Sequence, residues 1–291
     1  METMRDIKRK INSVENTKKI TRAMKMVASA KLKGAQNRAE SAKPFFKKTR
    51  QTLKDVTNEI TEDNLHPLLE RRDEIDRVGY IVITGDRGLC GPYNSNVLRR
   101  IEEDMEAGDD LTDKDDMGMI AIGKKGRNHF QRNELEIFSE YLDIDDEPSA
   151  RLAQNIANEV REYYEEEVFD KIYLVYTQFN SVINHEVKKI QLLPVEPDDI
   201  EEEGLSGDYI YEPSAGEVLE AILPKYLRNI IYGSLLEAKA SEFAARMTAM
   251  DSATDNAEEM IDELTLSFNR ARQAEITQEI TEIAAGAEAL D

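Results

Sequence analysis

The chain has 291 residues, 40% of them hydrophobic, which suffices for the core of one large or two small domains. No run of eighteen apolar residues occurs, so we expect no direct membrane insertion, and the single cysteine excludes an internal disulfide. Residues 1–54 hold 16 Lys and Arg against 4 Asp and Glu, a net charge of +12, which leaves −33 on the remainder. So basic an arm on an acidic chain predicts an acidic or phosphorylated partner.

The first segment, residues 1–60, has the pattern of a long amphipathic helix. Thr3 and Asp6 have the spacing of a capping box, which starts a helix. Pro44 is expected to kink or end the helix, with helical pattern resuming to about Ile60. The face that recurs every three or four residues is narrow and rich in small side chains, so a second helix can approach closely. It comprises Ile7, Ile11, Val14, Thr17, Ile20 or Thr21, Met24, Val27 or Ala28, Ala35, Ala39 and Ala42.

Residues 77–195 alternate short β-branched runs with helical patterns, which predicts a central, open α/β domain with a Rossmann-like sheet. The predicted strands are Tyr80–Thr84, Met119–Ile122, Lys171–Gln178 and Glu186–Leu193. Helices are predicted over Asn96–Met105, after Gly126 and over residues 149–166.

Two glycine-containing loops follow predicted strands, where a phosphate could bind. The spacing of Gly85, Gly88 and Gly91 matches neither the phosphate-binding loop nor the dinucleotide fingerprint, and the run from Gly123 to Gly126 is no more specific. The three histidines are scattered, and the cysteine has no obvious catalytic companion. We therefore expect no catalytic residue, no metal site and no cofactor.

The last part of the chain is an acidic linker, residues 196–213, followed by a long helical segment, residues 214–291. Ser214 and Glu217 form a second capping box, and Pro224 is expected to bend the short helix that they open. Beyond it the chain contains no proline. Apolar or small side chains then follow a heptad seam at Phe243, Met247, Met250, Thr254, Ala257, Ile261, Leu264, Phe268 and Ala271.

After Ala271 this stripe slips by one residue, to Ile276, Ile280, Ile283 and Ala287. A slip changes the local supercoil, and it predicts that the partner helix ends near that point. The narrow seam of the N-terminal segment is the obvious partner. The sequence therefore predicts that the two ends of the chain pair as an antiparallel coiled coil.

Composition leaves other functions open. A nucleic-acid-associated coiled coil would use the basic arm, although the first 44 residues contain no aromatic side chain for base stacking. The arm could also be a solvated helix face, whereas a membrane-surface helix would need larger apolar anchors. A nucleotide-using α/β enzyme with coiled-coil arms is a third alternative.

Several segments resemble one family, the gamma subunits of F-type ATP synthases. They are NTKKITRAMKMVASAKL (Asn16–Leu32), TGDRGLCGPYN (Thr84–Asn94), EPSAGEVLEAILPKYL (Glu212–Leu227), AARMTAMDSATDNA (Ala244–Ala257), FNRARQ (Phe268–Gln273) and ITQEITEIAAGAEA (Ile276–Ala289). The last is the most specific, and together these segments cover nearly the whole chain. The chloroplast branch of the family carries an extra regulatory cysteine pair, which Cys90 alone cannot provide.

The resemblance implies a rotor shaft that catalyses nothing by itself. In the family, the paired terminal helices lie inside a ring of three alpha and three beta subunits, and the α/β domain lies against the epsilon subunit and the membrane c-ring. Ion flow turns the c-ring and shaft, whose asymmetry drives ATP synthesis or hydrolysis in the ring. With no export or transit segment visible, we expect a peripheral protein on the cytoplasmic face of a bacterial plasma membrane, with no nucleic-acid partner.

The resemblance also implies roles for particular residues. Arg9, Met24 and Lys25 would face partners, the last two near an acidic lever segment of the beta subunits. Contacts with loops of the ring are implied for Arg272, Gln273, Thr277 and Glu279. Shaft packing is implied for Ile261, Leu264, Phe268, Gly286 and Ala287. Of these, Gly286 and Ala287 would keep the shaft slim where the ring is tight, and simple helix-pair packing is an equal alternative for them.

Overall fold

The computed structural model describes residues 3–59, 66–107, 116–196 and 211–288, without the side chains of residues 107 and 286–288. The chain divides into two compact units. The first consists of Met1–Ala28 with Arg246–Asp291, and the second is Ser29–Ala245. The sequence predicts four consecutive segments, whereas these units are defined by spatial contacts. The four-segment division therefore stays a prediction.

The described residues contain five α-helices and five β-strands. In order they are α1 (Met4–Thr57), β1 (Val78–Ile83), α2 (Tyr93–Ala107), β2 (Met117–Ile122), α3 (Lys124–Arg132), β3 (Glu136–Tyr141), α4 (Ala150–Glu165), β4 (Lys171–Phe179), β5 (His185–Leu193) and α5 (Ala215–Glu288). A 3-10 turn at Pro67–Leu69 precedes β1. The combination of an α/β sheet with long terminal helices confirms the predicted fold class.

The second unit is built on one five-stranded sheet with the order β3-β2-β1-β4-β5. The first four strands are parallel, and Ile81 lies between Ile120 and Leu174 in the register. β5 is antiparallel to β4 and forms one edge of the sheet. β1 and β2 are buried along their whole length, as expected of parallel strands that are covered on both faces.

The two faces of the sheet carry separate apolar clusters. On one face α2 and α3 contribute Val97, Ile101 and Phe130. The other face is covered by α4 together with the unit's parts of α1 and α5, and it includes Leu53 and a leucine stripe of α5. That stripe is Leu219, Leu223, Leu227, Ile231 and Leu235, each at most 1% exposed. Its regular spacing of four residues puts these side chains on one face of α5, which packs on the sheet.

Both predicted capping boxes lie at helix starts. The backbone N–H of Asp6 donates to Thr3 Oγ1 at 3.3 Å, and the Thr3 hydroxyl donates to the Asp6 carboxylate at 2.7 Å. The N–H of Glu217 donates to Ser214 Oγ at 3.3 Å. Each hydroxyl accepts from a backbone N–H of the first helical turn, and the N–H of Asp6 also donates to Thr3 O at 3.0 Å.

Of the effects predicted for the two prolines, the end of the helix at Pro44 is wrong, whereas the kink at Pro44 and the bend at Pro224 stay predictions. α1 runs through Pro44 and α5 runs through Pro224 without ending. Tertiary contacts hold the helices on both sides of each proline, which overrides the local cost of the missing hydrogen bond. Near Pro44, Phe46 packs edge-on to Tyr232 of α5, with ring centroids 6.3 Å apart. Around Pro224, the buried leucines of α5 continue in both directions.

The four predicted strands are all present, with ends shifted by at most two residues. A fifth strand, β3, was not predicted because its sequence EIFSEY is half polar and lies at the sheet edge, where side chains stay partly exposed. The tip of the first helical segment at Ile60 and most of the acidic linker, residues 197–210, lie outside the described residues.

Candidate partner-binding surfaces

In the first unit, three polar pairs define the register between α1 and α5. Thr21 Oγ1 and Thr254 Oγ1 lie 2.8 Å apart in a buried hydrogen bond. Lys18 Nζ lies 2.9 Å from a carboxylate oxygen of Glu258, and Lys25 pairs with Asp251. Residue numbers rise along one helix as they fall along the other, so the two helices are antiparallel, as predicted.

The buried face of α1 settles the two open choices of the sequence pattern. Thr21 and Ala28 are 8% and 2% exposed, whereas Ile20 and Val27 are 59% and 55% exposed. Small side chains thus occupy the seam and larger apolar ones face outward. On α5 the predicted seam positions Met250, Thr254 and Ala257 are buried, as is Phe243 in the second unit.

The basic arm has acidic partners within the chain. Besides the pairs of Lys18 and Lys25 with α5, Lys31 pairs with Asp146 and Arg38 pairs with Glu147 in the second unit. These side chains are partly exposed, so each pair contributes little free energy. These pairs nevertheless neutralise part of the positive charge of the arm, from which composition alone predicts an acidic partner outside the chain.

The end of α5 extends past the part that α1 covers. Every described side chain from Arg272 to Ala285 is exposed. Among them Ile276, Ile280 and Ile283 are 47%, 62% and 69% exposed, and their spacing places them along one face of the helix. The slip predicted after Ala271 therefore coincides with the loss of intrachain cover. A linear apolar stripe on a helix without cover is typical of a protein-binding surface.

The residues expected to contact partners lie in different surroundings. Arg9 is exposed at 3.4 Å from Asp6, and Met24 is half-buried. Arg272, Gln273, Thr277 and Glu279 are all exposed on the uncovered end of α5. Of the expected shaft-packing residues, Ile261, Leu264 and Phe268 are half-buried, and Gly286 and Ala287 lie in α5 but outside the residues whose surroundings are described.

The glycine-containing loops of the sheet are already filled by side chains of this chain. Thr84 Oγ1 accepts from the N–H of Gly126 at 2.9 Å, and Asp86 accepts from the N–H of Lys124 at 3.0 Å. These are donors at the start of α3 that a phosphate would need. A Cβ at Gly123, which has a φ of +96°, would lie 2.3 Å from Thr84 O, so the glycine serves close loop packing.

Two residues of the loop after β1 were not singled out from the sequence. The Asp86 carboxylate also accepts from the N–H groups of Asp143 at 3.1 Å and Ile144 at 2.9 Å, which joins three segments at one edge of the sheet. Beside it Leu89 has a φ of +60° and is 63% exposed. Its place in a glycine-containing loop is the only sequence signal for a positive φ, and nothing in the sequence indicated its exposure.

The strongest pKa shifts belong to tyrosines whose side chains pack between elements of the sheet domain. Burial, followed by a hydrogen bond to Glu159, raises the pKa of Tyr163 to about 12 and raises that of Tyr141 further. Both phenols stay neutral and donate to this one carboxylate, which ties β3 to α4. No group of His, Cys, Asp and Glu among the described residues has the arrangement of a metal site.

None of the described helices contains an apolar stretch long enough to cross a membrane.

Comparison with known proteins identifies relatives over the full length. The family model described as ATP synthase matches residues 3–290. The chain is 54% identical over 294 aligned residues to the ATP synthase gamma chain of Halothermothrix orenii, and 46% identical over 297 to that of Heliobacterium modesticaldum. Both alignments cover all of each chain. A nucleic-acid-associated function finds no support in these comparisons.

Solved structures share the fold. A chain from the central stalk and c-ring structure of the Tetrahymena thermophila mitochondrial ATP synthase is 25% identical, with a TM-score of 0.58, over 80% of this chain and 99% of that one. A chain from the Euglena gracilis mitochondrial ATP synthase structure, at 18% identity, has a TM-score of 0.69 over 99% and 94%. With relatives matched end to end, the chain belongs to the ATP synthase gamma chain family.

Proposed function

We propose that the chain is the central rotor shaft of an F-type ATP synthase, coupling rotation of a membrane c-ring to ATP synthesis or hydrolysis in a surrounding catalytic ring. The observation that carries this proposal is the uncovered end of α5. Its three exposed isoleucines follow directly after a stretch in which α1 and α5 are paired. Such a segment suits insertion into a socket formed by other subunits.

Coupling requires that the shaft contact different states of the ring differently. A partner can shift an equilibrium only by its difference in binding free energy between the two states. The helix pair offers chemically distinct sides, since α1 presents Ile20 and Val27 outward while acidic residues of α5 line another face. Three equivalent sites arranged around such a shaft would each meet a different surface at any one angle.

Particular residues receive roles within this proposal. Met24 and Lys25 would lie near an acidic lever segment of the beta subunits, and the link of Lys25 to Asp251 would keep its ammonium group at the surface of the helix pair. Arg9 is exposed for a similar contact. Around the isoleucine stripe, the exposed polar residues would contact loops of the ring: Arg272, Gln273, Thr277 and Glu279.

The rest of the shaft would pack rather than bind. Ile261, Leu264 and Phe268 would stiffen the helix pair, and Gly286 and Ala287 would keep the tip slim where the ring is narrow. The proposed partners are three alpha and three beta subunits, an epsilon subunit and the c-ring. The chain itself would hydrolyse no ATP, and it would be peripheral on the cytoplasmic face of a bacterial plasma membrane.

The test is reconstitution of ATPase activity. Purified alpha and beta subunits are assayed with and without this chain, and the assembled particle is characterised by size and stoichiometry. We expect a particle of three alpha, three beta and one copy of this chain, with turnover well above that of the mixture lacking it. The chain alone should hydrolyse no ATP.

Two results would contradict the proposal. One is an unchanged alpha and beta mixture, with no particle containing the chain. The other is ATP hydrolysis by the isolated chain, which would return attention to the α/β sheet and its loops.

A further inference from the structure

The second unit contains an open groove of about 970 Å³ between the sheet edge and the two long helices. The part of α1 from Lys43 to Gln51 and the part of α5 from Tyr226 to Glu237 line it together. The two helices contact each other there, since Asn229 Nδ2 donates to Thr49 Oγ1 at 3.1 Å. Phe46, Tyr226 and Ile230 give it an apolar lining. A groove of this size and mixed lining has room for a stretch of polypeptide.

The edge strand β5 borders the groove with four consecutive residues, Lys188 to Gln191. Side chains of a strand alternate between the two faces of a sheet, so consecutive lining residues mean that the strand's edge meets the groove. Tyr176 and Gln178 of β4 also line it, so the groove meets one face of the sheet as well. β5 is the last strand of its sheet, and one row of its backbone N–H and C=O groups points away from β4. Such an edge is a template for an additional strand.

The charge of the groove is positive on a chain whose net charge is −21. Lys43, Lys47 and Arg50 line it from exposed positions on α1, and Lys188 lines it from β5. Its two carboxylates add little opposing charge. Glu196 pairs with Arg71 at 3.2 Å, and Glu237 is half-buried beside Tyr176.

We propose that this groove binds an extended acidic segment of a neighbouring subunit, which adds a strand to β5 while its carboxylates meet the cations of α1. Backbone pairing along β5 supplies binding that is independent of side chains, and the cations select acidic sequences. A flat lipid surface fits the observations less well, because it cannot reach a strand edge set between helices. The identity of the partner as a subunit of the complex rests on the proposed function.

The experiment uses the assembled complex. In the first arm, Gln178, which lines the groove, is replaced by the photoreactive residue benzoylphenylalanine, and the cross-linked peptide is identified by mass spectrometry. In the second arm, hydrogen exchange of the β5 amides is measured in the complex for the unmodified chain, for K47E/R50E and for K48E. Lys48 is the matched control, because it adjoins Lys47 on α1 but does not line the groove.

We expect a cross-link to an acidic segment of another subunit and slow exchange of the outward-facing β5 amides. K47E/R50E should raise their exchange roughly tenfold, and K48E should leave it unchanged. The groove proposal is overturned by a cross-link only within this chain or to a basic segment. It is equally overturned by fast β5 exchange in an otherwise active complex. Failure of any complex to assemble with the unmodified chain would instead refute the proposed function together with this inference.

Discussion

Thr21 and Thr254 show how one buried polar contact can specify a helix pair. Each hydroxyl also lies near a carbonyl of its own helix, Thr21 Oγ1 at 3.1 Å from Lys18 O and Thr254 Oγ1 at 2.7 Å from Met250 O. Because each hydroxyl has one hydrogen, one threonine donates to the other and the second donates to its own helix. A buried hydroxyl that loses its partner retains the cost of its removal from water, so the contact favours the register in which the two threonines meet.

The pair can be measured by a double-mutant cycle. Thr21→Val and Thr254→Val should each lower the free energy of unfolding by about 1 kcal/mol, and the double variant should lose less than the sum of the two. Denaturant unfolding of the four proteins gives the coupling energy. Thr265→Val, at an exposed position of α5, is the control and should change little. Strictly additive losses would mean that the two hydroxyls do not interact.

Glu237 predicts a dependence of stability on pH. Burial raises the pKa of its carboxyl above the ordinary 4.5, against the opposing effect of Lys43. The folded chain therefore holds this proton more tightly than the unfolded chain, and stability falls as pH rises from 4.5 through the raised pKa. Glu237→Gln should remove that fall.

The measurement is the unfolding free energy between pH 4 and pH 8 of the unmodified chain and the Gln variant. The variant should be more stable by on the order of 1 kcal/mol at pH 7, and the difference should vanish at the acidic end. Glu220→Gln, at an exposed position on α5, should show no such difference. A Gln variant that is equally or less stable at pH 7 would show that the carboxylate is well compensated.

At the scale of elements, Asp86 joins the start of α3 and the loop after β3 to the loop after β1. Its carboxylate accepts from three backbone N–H groups, between 2.9 and 3.1 Å. Asp86→Ala would leave those donors without their partner, and it should cost about 2–4 kcal/mol of unfolding free energy. Asp145→Ala, an exposed change in the neighbouring loop, should cost under about 0.5 kcal/mol. Equal effects of the two substitutions would refute the role given to Asp86.

The elements also show what the sequence could predict. Apolar periodicity and β-branched runs are properties of the chain itself, so the first predicted the seam of α5 and the second predicted the buried strands. Whether Pro44 ends a helix depends on contacts made by residues distant in sequence, such as Phe46 with Tyr232. β3 was missed because an edge strand needs little apolar content, and the exposure of Leu89 depends on loop geometry that no local pattern encodes.

At the scale of the molecule, the uncovered end of α5 separates stability from assembly. Ile276, Ile280 and Ile283 are already exposed, so replacing all three by Ser should leave the unfolding of the free chain nearly unchanged. Each isoleucine could contribute about 1.5 kcal/mol or more to the free energy of binding when a partner buries it fully. The triple variant should therefore assemble poorly with alpha and beta subunits, with reduced ATPase turnover in the reconstitution assay.

The control for this variant carries three substitutions in the same turns of α5, at polar positions. Gln278, Thr281 and Glu282, all exposed, are replaced by Ser, and assembly and turnover should remain close to those of the unmodified chain. Unimpaired assembly of the isoleucine variant would exclude the stripe as a binding surface and leave the proposed shaft without its main support.

The polar pairs of α1 and α5 have a mechanical consequence. Lys18 with Glu258, Thr21 with Thr254, and Lys25 with Asp251 fall within about two turns of each helix. Sliding one helix along the other by a single turn, about 5.4 Å, would break all three at once and bury the threonine hydroxyls against mismatched neighbours. Slippage of one helix along the other is therefore opposed within this short stretch, so an axial load on one helix is carried by both.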